Sequence, residues 1–372
     1  MITQFYTPLF TLLATIIVIG ILIFVHEFGH FLVAKLIGVK VEIFSLGFGP
    51  KLFAIKGKET EYRLSLIPLG GYVKLYGEHS ETASSLTEPE KAFAFKKPWQ
   101  KSLVVIAGPL ANFVLAFIVF WFLFSAIGIY TYPPKVGEVI PGSPAEKVGI
   151  KKGDIILEVN GVKVNSFEEM VLLLRGKQST NIQKLKIIKL KIKRDNKILN
   201  ISVTPEFKEG LNIFGKKTKI PIIGIKATQE LVFKKYNILD ALLMSLKKVG
   251  DITVLTFTAI YKLFIGELPF STLGGPITIA KIIGDTAKMG LIALLSFTAL
   301  LSINLGVINI LPIPMLDGSY LILFGIEAIR GKPLSLKTQE LIFKIGLALI
   351  IILSIAVFYN DIYRLLTGWK MP

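Results

Sequence analysis

Long uncharged runs alternate with charged segments along this chain. Pro8 to Val25 contains no charged residue, and apolar residues continue past it through Phe31, Leu32 and Val33. That meets the ~20 residues a helix needs to cross ~30 Å of hydrocarbon. The run lacks the basic leader and small-residue cleavage site of a secretory signal, so it predicts a retained first transmembrane helix at about Pro8–Leu36. Ser102–Pro134 is also uncharged and predicts a second span, about Ser102–Ile129. Pro109 falls in its first turns, and Pro133–Pro134 ends it. Met289–Ile326 carries one charge, Asp317. It is too long for one straight helix, and Pro312 and Pro314 break it, leaving a third span at about Leu291–Ile310. Leu341–Phe358, charged only at Lys344, makes the fourth.

The segments between these runs are of two kinds. Gly38–Gln100 is polar and mixed, with glycines at Gly47, Gly49, Gly70 and Gly71 and strand-like runs at Val39–Phe44 and Tyr72–Tyr76. Lys135 to about Gly284 is a soluble insert that alternates Val/Ile with charge, as in Ile188-Lys189-Leu190-Lys191-Ile192-Lys193. Its later part, Ile238–Phe264, has helical apolar spacing suited to a membrane surface. The predicted segments are therefore 1–37, 38–100, 101–130, an insert module at 131–207, a trailing strand and amphipathic helical region at 208–284, 285–330 and 331–372.

Composition agrees with a polytopic α-helical membrane protein of about four transmembrane helices. The 372 residues are 52% hydrophobic and only 19% charged, with mean hydropathy +0.62. Orientation follows from basic residues in short loops. The first six residues hold no Lys or Arg, whereas Lys40–Lys101 holds ten, and Arg330, Lys332 and Lys337 precede the last span. Both basic stretches read as cytoplasmic, so the insert lies outside. The net charge is +17, and the insert accounts for most of it, with 25 Lys+Arg against 13 Asp+Glu. No basic motif with interleaved aromatics suggests nucleic acid, so this charge meets anionic membrane lipid or forms a solvated face. The absence of cysteine excludes a disulfide scaffold, a thiol nucleophile and Cys-ligated metal sites.

The candidate chemistry lies at the end of the first span, in His26-Glu27-Phe28-Gly29-His30. On a helix the two histidines are one turn apart, about 6 Å along the axis and on one face. Both imidazoles can reach one Zn2+ ion, and Glu27 is placed as general base for the attacking water. The bland alternative is polar residues at a helix end, but ionisable groups in a membrane span default to function. A catalytic zinc takes three protein ligands, and the candidates for the third are His79 and Asp317. His79 lies among Glu78, Ser80 and Glu81 and reads as solvated. Asp317 is favoured, because a lone carboxylate in an apolar run is very costly unless a metal compensates it. Its alternative is an Asp-Gly turn.

HEFGH in the first span, Gly108-Pro109…Asn112 in the second, and Asn304…Asn309-Ile-Leu-Pro312-Ile-Pro314-Met-Leu316-Asp317-Gly318 together resemble the site-2 protease family of intramembrane zinc metalloproteases. The resemblance is nearest to the bacterial regulator-of-sigma-E protease group and runs over nearly the whole chain. It implies zinc ligands at His26, His30 and Asp317, with Glu27 as the catalytic base. Asn304 and Asn309 would lie near the site, Asn309 binding the substrate backbone. It also implies a membrane re-entrant β-loop at about Val41–Tyr76, in which Gly70, Gly71 and Tyr72 would receive the unwound substrate by strand addition. The insert, from Val136 through Pro141-Gly142-Ser143-Pro144-Ala145 and Gly153-Asp154 to Asn160-Gly161, resembles an α+β PDZ domain over Thr131–Phe207, with Ile220–Ala227 at most a trailing strand. The implied function is regulated proteolysis within the bacterial inner membrane. Its substrates would be single-span proteins already shortened by another protease, such as anti-sigma factors or remnant signal peptides, with the PDZ domain as a size filter on the periplasmic side. A scaffold that had lost catalysis would lack a ligand or the base. A transporter would show inverted repeats, and none is visible.

Overall fold

The computed structural model describes residues 2–78, 86–174, 187–211 and 217–367. It resolves into two compact units, residues 1–122 with 241–372 and residues 123–240.

The first unit is helical. Its helices are α1 (Ile2–Leu36), α2 (Pro98–Phe122), α5 (Ile238–Phe264), α6 (Pro276–Met289), α7 (Leu291–Ile310), α8 (Asp317–Arg330) and α9 (Leu336–Leu366). Among the described residues four helical stretches are long and apolar enough to cross a membrane: Pro8–Leu36, Pro98–Ile127, Leu291–Ile310 and Lys337–Leu366. These are the four expected from the uncharged runs, and the chain is a polytopic helical membrane protein. α5 stays amphipathic, with Lys247, Lys248 and Asp251 in mid-helix. Small residues let the helices approach closely, as lipid-embedded packing requires. A Cβ at Gly29 of α1 would collide with the Ala107 carbonyl and the Ala111 side chain of α2. One at Gly306 of α7 would lie 3.1 Å from the Pro109 carbonyl and from the Phe113 ring. Val18, Leu22 and Ile283 form a buried cluster with Leu115, Phe297 and Leu301 around them. On α9, Leu341, Ile345, Leu349, Ile352 and Ile355 face outward, as a lipid-facing surface does.

Between α1 and α2 lie two long antiparallel strands, β1 (Val41–Lys56) and β2 (Glu61–Leu75). Each bends back on itself, so one register pairs twice. Phe44 opposes both Val73 and Tyr62, and Leu46 opposes both Gly71 and Leu64, while Ala54 opposes Arg63. The result is four rungs in the order 71–75, 41–46, 61–65, 51–56, with 71–75 on one edge. The bend requires Gly47, at φ +95°, where a Cβ would sit 2.8 Å from the Ile67 carbonyl. Val39, Val41 and Leu75 pack with Ala34, Phe93, Val104 and Val105, which anchors this sheet on α1 and α2.

The second unit is α+β. Its main sheet runs β6 (Val162–Lys163), β5 (Ile155–Val159), β7 (Ile188–Arg194), β8 (Lys197–Val203), all antiparallel. Alternation decides its faces. Ile188, Leu190 and Ile192 are buried while Lys189 and Lys193 point outward. Ser143 caps the short helix α3 (Pro144–Lys147), accepting from Glu146 N–H at 3.4 Å. Asn160 and Gly161, both at positive φ, turn β5 into β6 as the Asn-Gly pair predicts. The unit does not stop at Phe207. β9 (Glu206–Leu211) pairs with β10 (Lys217–Ile222), Ile223 enters the core, and β11 (Ile225–Ala227) pairs with β4 (Val136–Val139). Its two chain ends meet where β3 (Ile129–Thr131) pairs with β12 (Val232–Lys234). The remaining helix is α4 (Phe167–Leu174).

One ion pair ties this unit together. Asp154, 1% exposed, accepts from Arg194 Nε and Nη2 at 2.7 Å each and from the Lys151 N–H at 2.9 Å. Burial alone would raise the Asp154 carboxyl; the Arg194 and Lys151 hydrogen bonds outweigh it and hold it below the ordinary range. A carboxyl depressed on folding contributes stability that is present above its unfolded pKa, about 3.9, and is lost as pH falls through the folded value. Arg194→Ala strands a buried carboxylate and is expected to destabilise the unit by about 3 kcal/mol at pH 7. Urea-dependent proteolysis of the full-length protein checks this, and the gap from wild type should close below about pH 4.

Candidate metal centre

α1 continues through His26, Glu27 and His30, so its helical repeat stacks the two imidazoles. Their ring centroids are 4.8 Å apart at 84°, and the two Nε2 atoms approach to 3.2 Å. Asp317 arrives from the opposite end of the sequence. Pro312 and Pro314 stop α7, the chain turns through Met315 at φ +79°, and α8 begins at Asp317. Gly318 is obligatory there, because a Cβ would run into the Ile310 and Leu311 carbonyls. Asp317 Oδ2 lies 3.1 Å from His26 Nε2 and 3.6 Å from His30 Nε2.

These three atoms have the geometry of a metal site. Ligands at the 2.0–2.1 Å bond length of a tetrahedral zinc lie about 3.3 Å from one another, and the three separations here are 3.2, 3.1 and 3.6 Å. The donor set also asks for a cation, since Asp317 Oδ2 is buried with no hydrogen-bond partner. Among the described residues this is the one group of three or more His, Cys, Asp or Glu residues so arranged. His79, the other sequence candidate, lies outside the described residues.

The face of α2 closes the site. Val104, Gly108 and Asn112 are spaced by four and line up along one side of that helix. The Val104 carbonyl meets His30 Nδ1 at 2.8 Å, and the Asn112 amide meets His26 Nδ1 at 3.0 Å. Gly108 sits directly beneath the His30 ring, leaving no room for a Cβ. Val104 contributes only a backbone atom, so side-chain chemistry in the sequence could not reveal it. Asn112 had a readable signal, a polar residue inside an uncharged span.

The other sequence-predicted residues divide. Asn309 is at the centre, with Nδ2 3.3 Å from His26 Nε2. Asn304 turns to α5, where Thr256 Oγ1 donates to its Oδ1 at 2.8 Å. Gly71 backs onto the base, since a Cβ there would lie 3.0 Å from Glu27 Cγ and 2.9 Å from the Ser45 carbonyl. Gly70 and Tyr72 both abut Phe48. The Tyr72 and Phe48 rings stack at 6.2 Å, and Arg63 donates to the Tyr72 hydroxyl at 3.3 Å.

The sequence matches the model for peptidase family M50 over residues 14–353. It is 36% identical to a Campylobacter jejuni protein named "Putative zinc metalloprotease", across 98% of this chain and 95% of that one. A Mesorhizobium japonicum protein of the same description is 35% identical, across 95% and 98%. One from Rickettsia conorii is 37% identical, across 95% and 99%.

Gly108→Ala adds a methyl group where the His30 ring stands. Alanine favours the helix, so the change should spare folding and displace the ring. Zinc affinity is expected to fall about tenfold or more, on the scale of other losses of ligand support. Gly20→Ala, where nothing lies within 4 Å of the added carbon, should leave it unchanged. Metal content after dialysis against a graded chelator distinguishes the two.

Proposed function

The chain belongs to peptidase family M50, the site-2 protease family, and is a zinc metalloprotease; from that premise we propose that it hydrolyses peptide bonds within transmembrane segments of single-span proteins. The observation that carries this reading is the cluster of His26, His30 and Asp317, held between helices that are themselves long and apolar enough to span a membrane. Zinc bound by these three residues supplies a Lewis acid that polarises the scissile carbonyl and activates water for attack.

The chain's own residues do the rest. Glu27, next to His26 on α1, takes a proton from the attacking water and delivers it to the leaving amine as the C–N bond breaks. Asn309, beside the His26 ligand atom, donates to the substrate backbone. A transmembrane substrate is helical and must unwind before its carbonyl can be attacked. The edge rung 71–75 offers unpaired backbone to an extended segment, and Gly71 holds that edge against Glu27. In this reading β1 and β2 form a re-entrant loop whose base packs on α1 and α2 through Val39, Val41 and Leu75, while its outer part presents the exposed apolar side chains Leu52, Phe53, Ile55 and Leu66.

The second unit acts as a PDZ-like filter on the periplasmic side of the bacterial inner membrane. It rejects substrates that still carry a bulky external domain, so that cleavage follows shortening by another protease. Its capped α3, its Asn160-Gly161 hairpin and its antiparallel sheet support this assignment.

Two experiments test the proposal with purified protein in liposomes. Glu27→Gln should keep zinc and lower the cleavage rate of a single-span substrate by about 10²–10⁴-fold; unaltered cleavage would falsify the assignment of the base. Replacing residues 132–231 by a short Gly/Ser linker joins strands that are already paired, Ile129–Thr131 and Val232–Lys234. The shortened protein should cut substrates that retain their external domain. If selectivity is unaffected, the filter is refuted.

A further inference from the structure

The two histidines differ in what holds the nitrogen away from the metal position. For His30 it is the Val104 carbonyl, 2.8 Å from Nδ1. A carbonyl only accepts, so the ring proton is on Nδ1 and Nε2 keeps its lone pair. For His26 it is a side chain, the Asn112 amide, 3.0 Å from Nδ1. Asn112 is fully buried, at 0% exposure, and its backbone carbonyl accepts from Ser302 Oγ of α7 at 2.8 Å. α2 and α7 therefore fix its position together.

An amide can face an imidazole in two ways. With Nδ2 toward the ring, it donates to an unprotonated Nδ1. The ring proton then sits on Nε2, the atom that faces Asp317 and His30, and no lone pair is left to ligate. That arrangement also leaves Asn112 Oδ1 buried with no partner. With Oδ1 toward the ring, Asn112 accepts from Nδ1–H and Nε2 is free. The two ends of an amide have nearly the same shape, so the chemistry of the ring decides between them.

We propose that Asn112 is the positioning residue of His26, its Oδ1 accepting the Nδ1 proton and so holding the ring in the tautomer and orientation that bind metal. It does for His26 what the Val104 carbonyl does for His30. The setting explains why an acceptor is needed. Within a spanning segment no bulk water can satisfy an imidazole N–H, so a protein acceptor must, and at His26 Nδ1 the group in reach is the Asn112 side chain. The inference rests on the reading of His26, His30 and Asp317 as the zinc ligands.

The test compares zinc affinity of the full-length protein in detergent, measured by competition with a chromophoric chelator. The visible spectrum of the Co2+-substituted protein gives a second readout of ligand geometry. Asn112→Leu removes both ends of the amide and is expected to weaken zinc binding about 10–100-fold. Asn112→Asp keeps an acceptor but cannot donate when ionised, and is expected to stay within a few-fold of wild type with an unshifted Co2+ spectrum. Wild-type affinity in Asn112→Leu would overturn the proposal. So would weak binding in Asn112→Asp, because the amide would then be needed as a donor. If the leucine variant does not fold, the aspartate variant against wild type decides alone. Asp317→Ala runs alongside. Zinc affinity equal to wild type there would refute the ligand set itself, a result distinct from either outcome at Asn112.

Discussion

A carboxylate and two imidazoles meet at 3.1–3.6 Å between the helices of an apolar bundle, and the rest of the first unit is arranged around that meeting. Alone, such a cluster is unfavourable, because Asp317 carries a desolvated charge and its Oδ2 lacks a hydrogen-bond donor. A divalent cation reverses the sign of that energy. The interruption of α7 at Pro312, the positive φ of Met315 and the mandatory Gly318 all serve to deliver one carboxylate oxygen to this point.

α2 contributes no ligand atom, yet it sets the geometry of the ligands. Its residues at 104, 108 and 112 provide a carbonyl, a gap and an amide at successive turns of one face. Gly29 lets α1 lie against Ala107 and Ala111 closely enough for the imidazoles to reach Val104 and Asn112. Gly306 does the same for α7 at Pro109. Close helix packing and metal geometry are thus one requirement, since a larger residue at either glycine would move a ligand.

The double-paired sheet brings a strand edge to the same place. Because β1 and β2 fold back on themselves, 71–75 ends as an outer rung, and Gly71 presses that rung onto Glu27. In the proposed reaction the base and the receptor for an extended chain are therefore held by a single contact.

Much of this was legible in the sequence because its signals are local or depend on the solvent. Charge-free runs determined the four helices long and apolar enough to span, since a single segment satisfies its own backbone hydrogen bonds in lipid only as a helix. The four-residue interval between His26 and His30 determined a shared helical face. Asp317 stood out because a lone charge in an apolar run demands compensation. Alternation in residues 188–193 determined the faces of β7. Other features depend on residues far apart in sequence, and only the tertiary structure decided them. Asn304, a candidate for the site, is hydrogen-bonded to Thr256 of α5, although Asn309, five residues on, lies at the centre. The second unit runs past Phe207 because Ile225–Ala227 pairs with Val136–Val139, a bond across nearly its whole length. The double register of β1 and β2 follows from bends that no period-2 pattern encodes. The support of the two imidazoles, a carbonyl for one and an amide for the other, exists only once α1 and α2 are packed together. A sequence shows which groups are present; their hydrogen-bond partners across helices are set by backbone approach, and that is a property of the folded bundle.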